Sequence, residues 1–263
     1  MGAIAGERIR VVLFGGSYLE AGAERFVVML AEHPEIELAG GFFQSRGMDA
    51  RSRFRDLWTR RRWIALPVAV KDMLVSLAHA SLQPATARAL QRRAARLLAG
   101  FEKVSDLHAP EVISRVAALE PNLGIIYGAP ILRPELYSIP RHGTLGIHHG
   151  RVPQYRGKKT TFWAMYNGER SAGVTIQRVN AGIDTGEVLK TGEVTIERKS
   201  YRRVEREVQE LGFRLYLDAI LDVKHGRAVF RPQETGSFGL RKYRQPSAAD
   251  ICRFLIRRFR PRV

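Results

Sequence analysis

Four short apolar runs do most to limit what this chain can become: Ile9 to Phe14, Ile36 to Phe43, Leu123 to Tyr127 and Leu145 to His148. Nearly continuous apolar runs of this length read as strands buried on both faces. Gly15-Gly16-Ser17 punctuates the end of the first run, and a helix is predicted from there to His33. Pro110 to Leu119 has helical spacing and leads into the third run. Strands that alternate with helices imply an α/β fold, a mostly parallel sheet covered by helices on both faces.

Residues 46–103 interrupt that rhythm with Arg-rich sequence of helical character, including Arg60-Arg61-Arg62-Trp63. Within it Thr86 to Leu98 places Leu90, Ala94, Leu97 and Leu98 on one helical face, and the whole stretch reads as an insertion. Tyr201 to Val223 is helical, Gln233 to Leu240 is turn-rich, and Ser247 caps a last helix that runs into Arg257-Arg258-Phe259-Arg260-Pro261-Arg262. The expected organisation is a catalytic core over 1–190, carrying the basic insertion 46–103, and a small C-terminal extension over 191–263 packed on it, with a basic tail.

At 263 residues and 45% hydrophobic content the chain can bury a full core. Lys and Arg outnumber Asp and Glu by 43 to 26, a net charge of +17 that draws anions: nucleotide phosphates, nucleic acid or acidic lipid. One cysteine, Cys252, excludes an internal disulfide framework and fits a reducing cytoplasm. The N-terminus lacks a secretory pattern. Trp63 to Leu82, the nearest approach to a membrane span, is broken by Pro67, Lys71, Asp72 and His79. The insertion and the tail from Phe254 to Val263 mix cations with large apolar residues, so peripheral contact with an anionic membrane stays open beside an ordinary solvated surface. No base-stacking aromatic pattern supports nucleic-acid recognition. A homodimer is compatible with the sequence.

Chemistry concentrates in two loops. Gly143 to Gly157 reads Gly-Thr-Leu-Gly-Ile-His-His-Gly-Arg-Val-Pro-Gln-Tyr-Arg-Gly, an apolar run that ends in a histidine and breaks into a Gly/Pro loop. Ala181 to Gly186, Ala-Gly-Ile-Asp-Thr-Gly, sets a lone carboxylate among glycines. His148 at a strand end can meet a substrate, and Asp184 beside it would favour the charged imidazole. Such a pair can donate to a carbonyl oxygen as it gains charge and relay the proton of an attacking amine. Gly15-Gly16-Ser17 lacks both the dinucleotide and the ATP-loop spacing, so neither ligand is expected. His148 and His149, adjacent on one strand, point apart, and no further ligands cluster near them; no metal is expected.

The run from Gly146 to Gly157, then Thr161-Phe162-Trp163, Gly168, Gly173-Val174-Thr175 and Gly182-Ile183-Asp184-Thr185-Gly186, resembles the folate-dependent formyltransferases. That family includes enzymes acting on glycinamide ribonucleotide, on methionyl-tRNA and on nucleotide-linked amino sugars. The resemblance implies a Rossmann-like sheet, 10-formyltetrahydrofolate as donor, and a catalytic Asn, His and Asp. His148 and Asp184 match the last two. Gly146 stands where the asparagine is expected, and His149 is the candidate replacement donor. By the same resemblance Gly128, Ala129, Pro130, Ile131 and Leu132, with Ala181, Gly182 and Ile183, would line the folate site. Tyr155, Arg156, Lys158 and Lys159 would meet the acceptor, and the two lysines hint at an acidic one.

The expected activity is transfer of a formyl group to a primary amine on a small anionic acceptor, foremost a nucleotide-linked amino sugar. Loss of the asparagine leaves open another one-carbon or hydrolytic reaction, or a silent binding relative. Formylation of tRNA suits the charge, but the segment after the core is short for an RNA-binding domain.

Overall fold

The computed structural model describes residues 4, 6, 8–16, 23–44, 85–234 and 242–259. In chain order the strands are β1 (Ile9–Gly16), β2 (Ile36–Gln44), β3 (Glu102–Val104), β4 (Leu123–Tyr127), β5 (Thr144–His148), β6 (Arg156–Gly157), β7 (Ser171–Arg178), β8 (Val188–Thr195) and β9 (Lys242–Tyr243). The helices are α1 (Ala23–Ala31), α2 (Ala85–Ala99), α3 (Pro110–Ala118), α4 (Pro134–Tyr137), α5 (Thr160–Tyr166), α6 (Tyr201–Lys224) and α7 (Ala248–Phe259). Seven strands form one sheet in the order β3-β2-β1-β4-β5-β7-β8, while β6 and β9 pair separately.

The four apolar runs are the parallel heart of the sheet. β1 is flanked by β2 and β4, and β4 by β5, all parallel. Side chains alternate across β1, so Ile9, Val11 and Leu13 enter one core while Val12 and Phe14 enter the other. Both faces are covered, so the run reads as nearly continuous, and its one polar residue, Arg10, is accommodated by Glu37 and Leu119 O. Burying each of the large apolar side chains contributes about 1.5–3 kcal/mol.

On the first face Phe26 of α1 stacks on Phe213 and Tyr216 of α6 at ring-centroid distances of 4.9 and 5.3 Å. On the second, Val112 and Val116 of α3 and Leu136 of α4 close over Val12, Phe14 and Phe42. The chain leaves β1 toward β2 and β3, then crosses back to β4 and β5. The strand order therefore reverses between β1 and β4, and ligands of open α/β sheets bind at the carboxyl ends beside such a point.

α6 does more than cover the sheet. Ser200 caps it by accepting from Arg203 N at 3.3 Å. Its stripe Phe213, Tyr216, Ala219, Ile220 and Val223 lies in the first core. The buried Tyr216 hydroxyl donates to Leu145 O at 2.6 Å and accepts from Ile126 N at 2.9 Å, which fastens β4 to β5 just before the latter ends at His148. Burial pushes this phenol's pKa up, so the hydroxyl keeps its proton.

The antiparallel hairpin β7–β8, which pairs with β5, carries no apolar-run signal. β8 exposes Thr191, Glu193 and Thr195 along the sheet edge, and charge on an edge strand discourages pairing with other chains. Residue 190 falls inside β8, and α6 beyond it supplies much of the first core.

The helix expected over Thr86 to Leu98 is α2, with Ala94 fully buried and Leu97 and Leu98 packed on the first core. Arg60-Arg61-Arg62-Trp63, Trp63 to Leu82, the turn-rich stretch beyond residue 234 and the tail after Phe259 lie outside the described residues. No described helix is long and apolar enough to cross a membrane.

Candidate active site

His148 ends β5 and Asp184 follows β7 in the loop to β8, and the structure brings the two together. His148 Nδ1 lies 3.4 Å from Asp184 Oδ1, and its Nε2 lies 2.6 Å from Tyr155 O. The ring is thus held at both nitrogens, one facing a carboxylate and the other a backbone carbonyl. Gly150 permits this, because a Cβ there would overlap both Tyr155 O and His148 Nε2.

Asp184 is held with equal care. Gly157 N donates to its Oδ2 at 3.1 Å and Gln177 Nε2 to its Oδ1 at 3.3 Å. Its φ of 54° is left-handed, a conformation that aspartate tolerates better than most residues because its short side chain bonds locally. Gly186 fixes the far end of the loop: a Cβ there would run into Arg178 O. Gln233 staples the loop from outside the sheet, its Nε2 donating to Asp184 O at 3.1 Å, Gly186 O at 2.8 Å and Gln177 Oε1 at 2.9 Å.

His148 opens onto a cavity of about 660 Å³ between the end of β5, the loop before α5 and the first turns of α6. Lys158, Lys159, Arg202 and Arg206 line it, opposed by Glu205, which Lys159 meets at 3.3 Å. The lining is therefore cationic and suits an anion. Tyr155 and Arg156 do not share it. Tyr155 stacks on Tyr243 at 5.1 Å and donates its hydroxyl to Glu169 at 2.7 Å. Arg156 is only 1% exposed and donates to Gln233 Oε1 at 2.7 Å. Of the four residues expected to meet an acceptor, only the two lysines face the cavity, and Arg202 and Arg206 join them from a helix that sequence spacing marks only as helical.

The loop expected to hold folate starts at Gly128, which turns the chain out of β4 at a φ of 64° and touches the cavity. Ala129 and Pro130 are half-buried, Ile131 is 64% exposed, and the Leu132 side chain is buried in the second core, so only its backbone can face a ligand. Ala181, Gly182 and Ile183 are exposed. Exposed isoleucines and open backbone on both loops fit a flat heteroaromatic ring that pairs with main-chain groups. Among the described residues no cluster of three His, Cys, Asp or Glu side chains is placed to hold a metal ion.

At Gly146 the backbone is not left-handed, and a Cβ there would meet only Val179 Cγ2, at an ordinary 3.5 Å. Nothing steric requires glycine. Across the strand pair, Gly146 is directly opposite Gln177. Opposed residues of an antiparallel pair share a face, with Cβ atoms about 4.5–5.5 Å apart. Gln177 therefore carries a carboxamide on the face where residue 146 carries none. Sequence reading missed it, since register between β5 and β7 is not visible in one chain.

His149 also lines the cavity, but from the other side of β5, with Nε2 turned toward Gly212 of α6, enclosed and without a hydrogen-bond partner. Burial, and then the neighbouring His148, push its pKa down to about 4. The unfolded chain, near 6.5, binds the proton more readily, so the stability that neutral His149 permits is fully present above pH 6.5. It is lost as pH falls toward 4 and beyond, by at most about 3 kcal/mol. A His149→Gln variant is expected to lose less stability than the wild type between pH 7 and pH 4 in urea unfolding; parallel losses would show that His149 does not titrate in this way.

The family model described as formyl transferase matches residues 69–220, more than half of the chain and including His148, Asp184 and the cavity-lining turns of α6. The chain belongs to the formyl transferase family. Methionyl-tRNA formyltransferase of Thermodesulfovibrio yellowstonii is 31% identical over 135 residues, 50% of this chain and 42% of that protein. The aligned part spans less than half the length of the curated relatives it matches. Among solved structures, glycinamide ribonucleotide transformylase 1 of Symbiobacterium toebii shares the fold with a TM-score of 0.56 and 18% identity, covering 87% of this chain and 96% of that one. A sugar N-formyltransferase from Shewanella shares it with a TM-score of 0.55 and 15% identity, covering 94% and 87%. The chain thus has the α/β architecture of the family.

Proposed function

We propose that this formyl transferase moves a formyl group from 10-formyltetrahydrofolate to a primary amine of a small, anionic acceptor such as a nucleotide-linked amino sugar. The observation that carries the reading is the His148–Asp184 pair, with His148 opening onto a cavity lined by Lys158, Lys159, Arg202 and Arg206. Folate supplies the activated formyl group. The loops at Gly128–Leu132 and Ala181–Ile183 hold it by backbone and apolar contact. The cations seat the acceptor's anionic part and leave its amine near His148.

His148 Nε2, exchanging its contact with Tyr155 O for the substrate, donates to the formyl oxygen as charge develops there and takes part in the relay of the amine's proton. Asp184 orients the ring and accepts in that relay, and the proton passes to the donor nitrogen as its bond to the formyl carbon breaks and tetrahydrofolate leaves. Gln177 supplies the carboxamide that position 146 lacks, either to the developing charge or by fixing Asp184. His149, a neutral ring on the opposite side of the strand, can offer one further N–H, and His149→Ala then lowers turnover as well. The reading accords with residence in the cytoplasm, where folates and nucleotide sugars are found.

Calorimetry with a stable 10-formyltetrahydrofolate analogue is expected to show micromolar binding, and absence of binding at high concentration would overturn the donor. With a turning-over acceptor in hand, replacing Lys158 and Lys159 by alanine is expected to raise its KM on the order of tenfold with little change in kcat, the loss of one charge-assisted contact. An unchanged KM would make the lysines a solvated rim.

A further inference from the structure

α7 is anchored by a single stripe. Asp250, Phe254 and Arg257 follow a spacing of four and three residues on its inner side. Ser247 and Asp250 cap each other, with Ser247 N to Asp250 Oδ2 at 2.8 Å and Asp250 N to Ser247 Oγ at 3.2 Å. Phe254 packs on Phe162 with centroids 5.1 Å apart, and Arg257 lies 4.8 Å over the Tyr166 ring.

With that stripe turned inward, the outer side of a surface helix is expected to be polar. Here it is apolar. Ile251 and Leu255 are each 45% exposed and Ile256 57%, and Ala248, Ala249 and Cys252 between them are exposed too. The helix's only acidic residue, Asp250, is buried and paired with Arg244 at 2.8 Å. The exposed charges are Arg253 and Arg257, both positive, and the sequence continues with Arg258, Arg260 and Arg262.

We propose that the outer face of α7 docks on an anionic lipid surface. An apolar strip on a helix whose exposed charges, among the described residues, are all arginines matches the acyl and headgroup layers of such a surface when the helix lies in its plane. A second copy of the chain fits less well, because like-charged borders would meet across the apolar strip on molecules that each carry +17. The docking stands whatever the acceptor is, yet it has a consequence for the site. Gln245, on the cavity wall, lies just ahead of α7, and Lys158 N donates to Tyr243 O at 2.9 Å. A docked α7 therefore holds the cavity close to the membrane surface.

Sedimentation with phosphatidylcholine vesicles, with and without phosphatidylglycerol, tests this on the full chain. The protein is expected to pellet with the anionic vesicles at low salt and not with neutral ones. The triple variant Ile251→Ser, Leu255→Ser, Ile256→Ser is expected to partition on the order of tenfold more weakly while keeping the wild-type melting temperature. Because Cys252 is the only cysteine and lies exposed on this face, a polarity-sensitive dye on its thiol gives a second readout that needs no apolar substitution. Its emission is expected to shift to the blue with anionic vesicles. Failure to pellet, an unshifted dye, or a triple variant that binds like wild type would overturn the proposal, the last by assigning any binding to net charge alone. So would a concentration-dependent dimer in sedimentation velocity that the triple variant abolishes.

Discussion

Replacing His148 by alanine is expected to lower single-turnover formyl transfer on the order of 10²- to 10⁴-fold, the range that a positioned general acid–base group contributes. The ring is buried and held between Asp184 Oδ1 and Tyr155 O, so its loss removes the one imidazole that faces both the carboxylate and the cavity. Asp184→Asn is expected to cost less than His148→Ala, since an isosteric amide can still accept from Gly157 N through its oxygen while losing the charge that faces the ring. Folate-analogue affinity should survive both changes, and that separates a chemical defect from a collapsed site. If His148→Ala transfers formyl groups as fast as the wild type, the pair is structural and the proposed reaction fails. Rapid-quench assay of the labelled formyl group, with analogue binding and thermal melting in parallel, decides between these outcomes.

What could be read from the sequence followed how local each signal is. The four apolar runs became β1, β2, β4 and β5 within a residue or two, because strands covered on both faces leave few polar residues, Arg10 and Glu37 among them, to blur the pattern. The hairpin β7–β8 was hidden for the opposite reason. β8 has one face toward solvent and carries Lys190 and Glu193, and β7 holds buried Thr175 and Gln177, so neither reads as an apolar run. The meeting of His148 and Asp184 was legible because glycine-bounded loops mark both in the sequence. Arg202 and Arg206 were not, since an arginine on the outer side of an amphipathic helix looks the same whether it meets water or a cavity. Tyr155 and Arg156 erred the other way: polar residues in a loop suggest exposure, but Arg156 is drawn inside by Gln233, a partner 77 residues away. Gly146 was visible as an anomaly, while its meaning depended on register.

That register sets up the second large effect. Gln177→Ala is expected to lower kcat on the order of 10²- to 10³-fold, the cost of removing one donor to a developing oxyanion, with acceptor KM little changed. Packing alone would not produce that split between kcat and KM. Gly146→Asn should be tolerated, since the backbone there is not left-handed and a new Cβ would meet only Val179 Cγ2 at 3.5 Å. The informative measurement is the double-mutant cycle. If the two positions serve one carboxamide role from opposite sides of the β5–β7 pair, then Gly146→Asn recovers much of the activity lost in Gln177→Ala, yet adds little to a wild type already supplied by Gln177. Independent effects, adding within about 0.3–0.5 kcal/mol, would mean that Gln177 acts only by holding Asp184, which it reaches at 3.3 Å. A gain from Gly146→Asn in the wild type as large as in the variant would show instead that the donor position stands vacant and that the chain works without it.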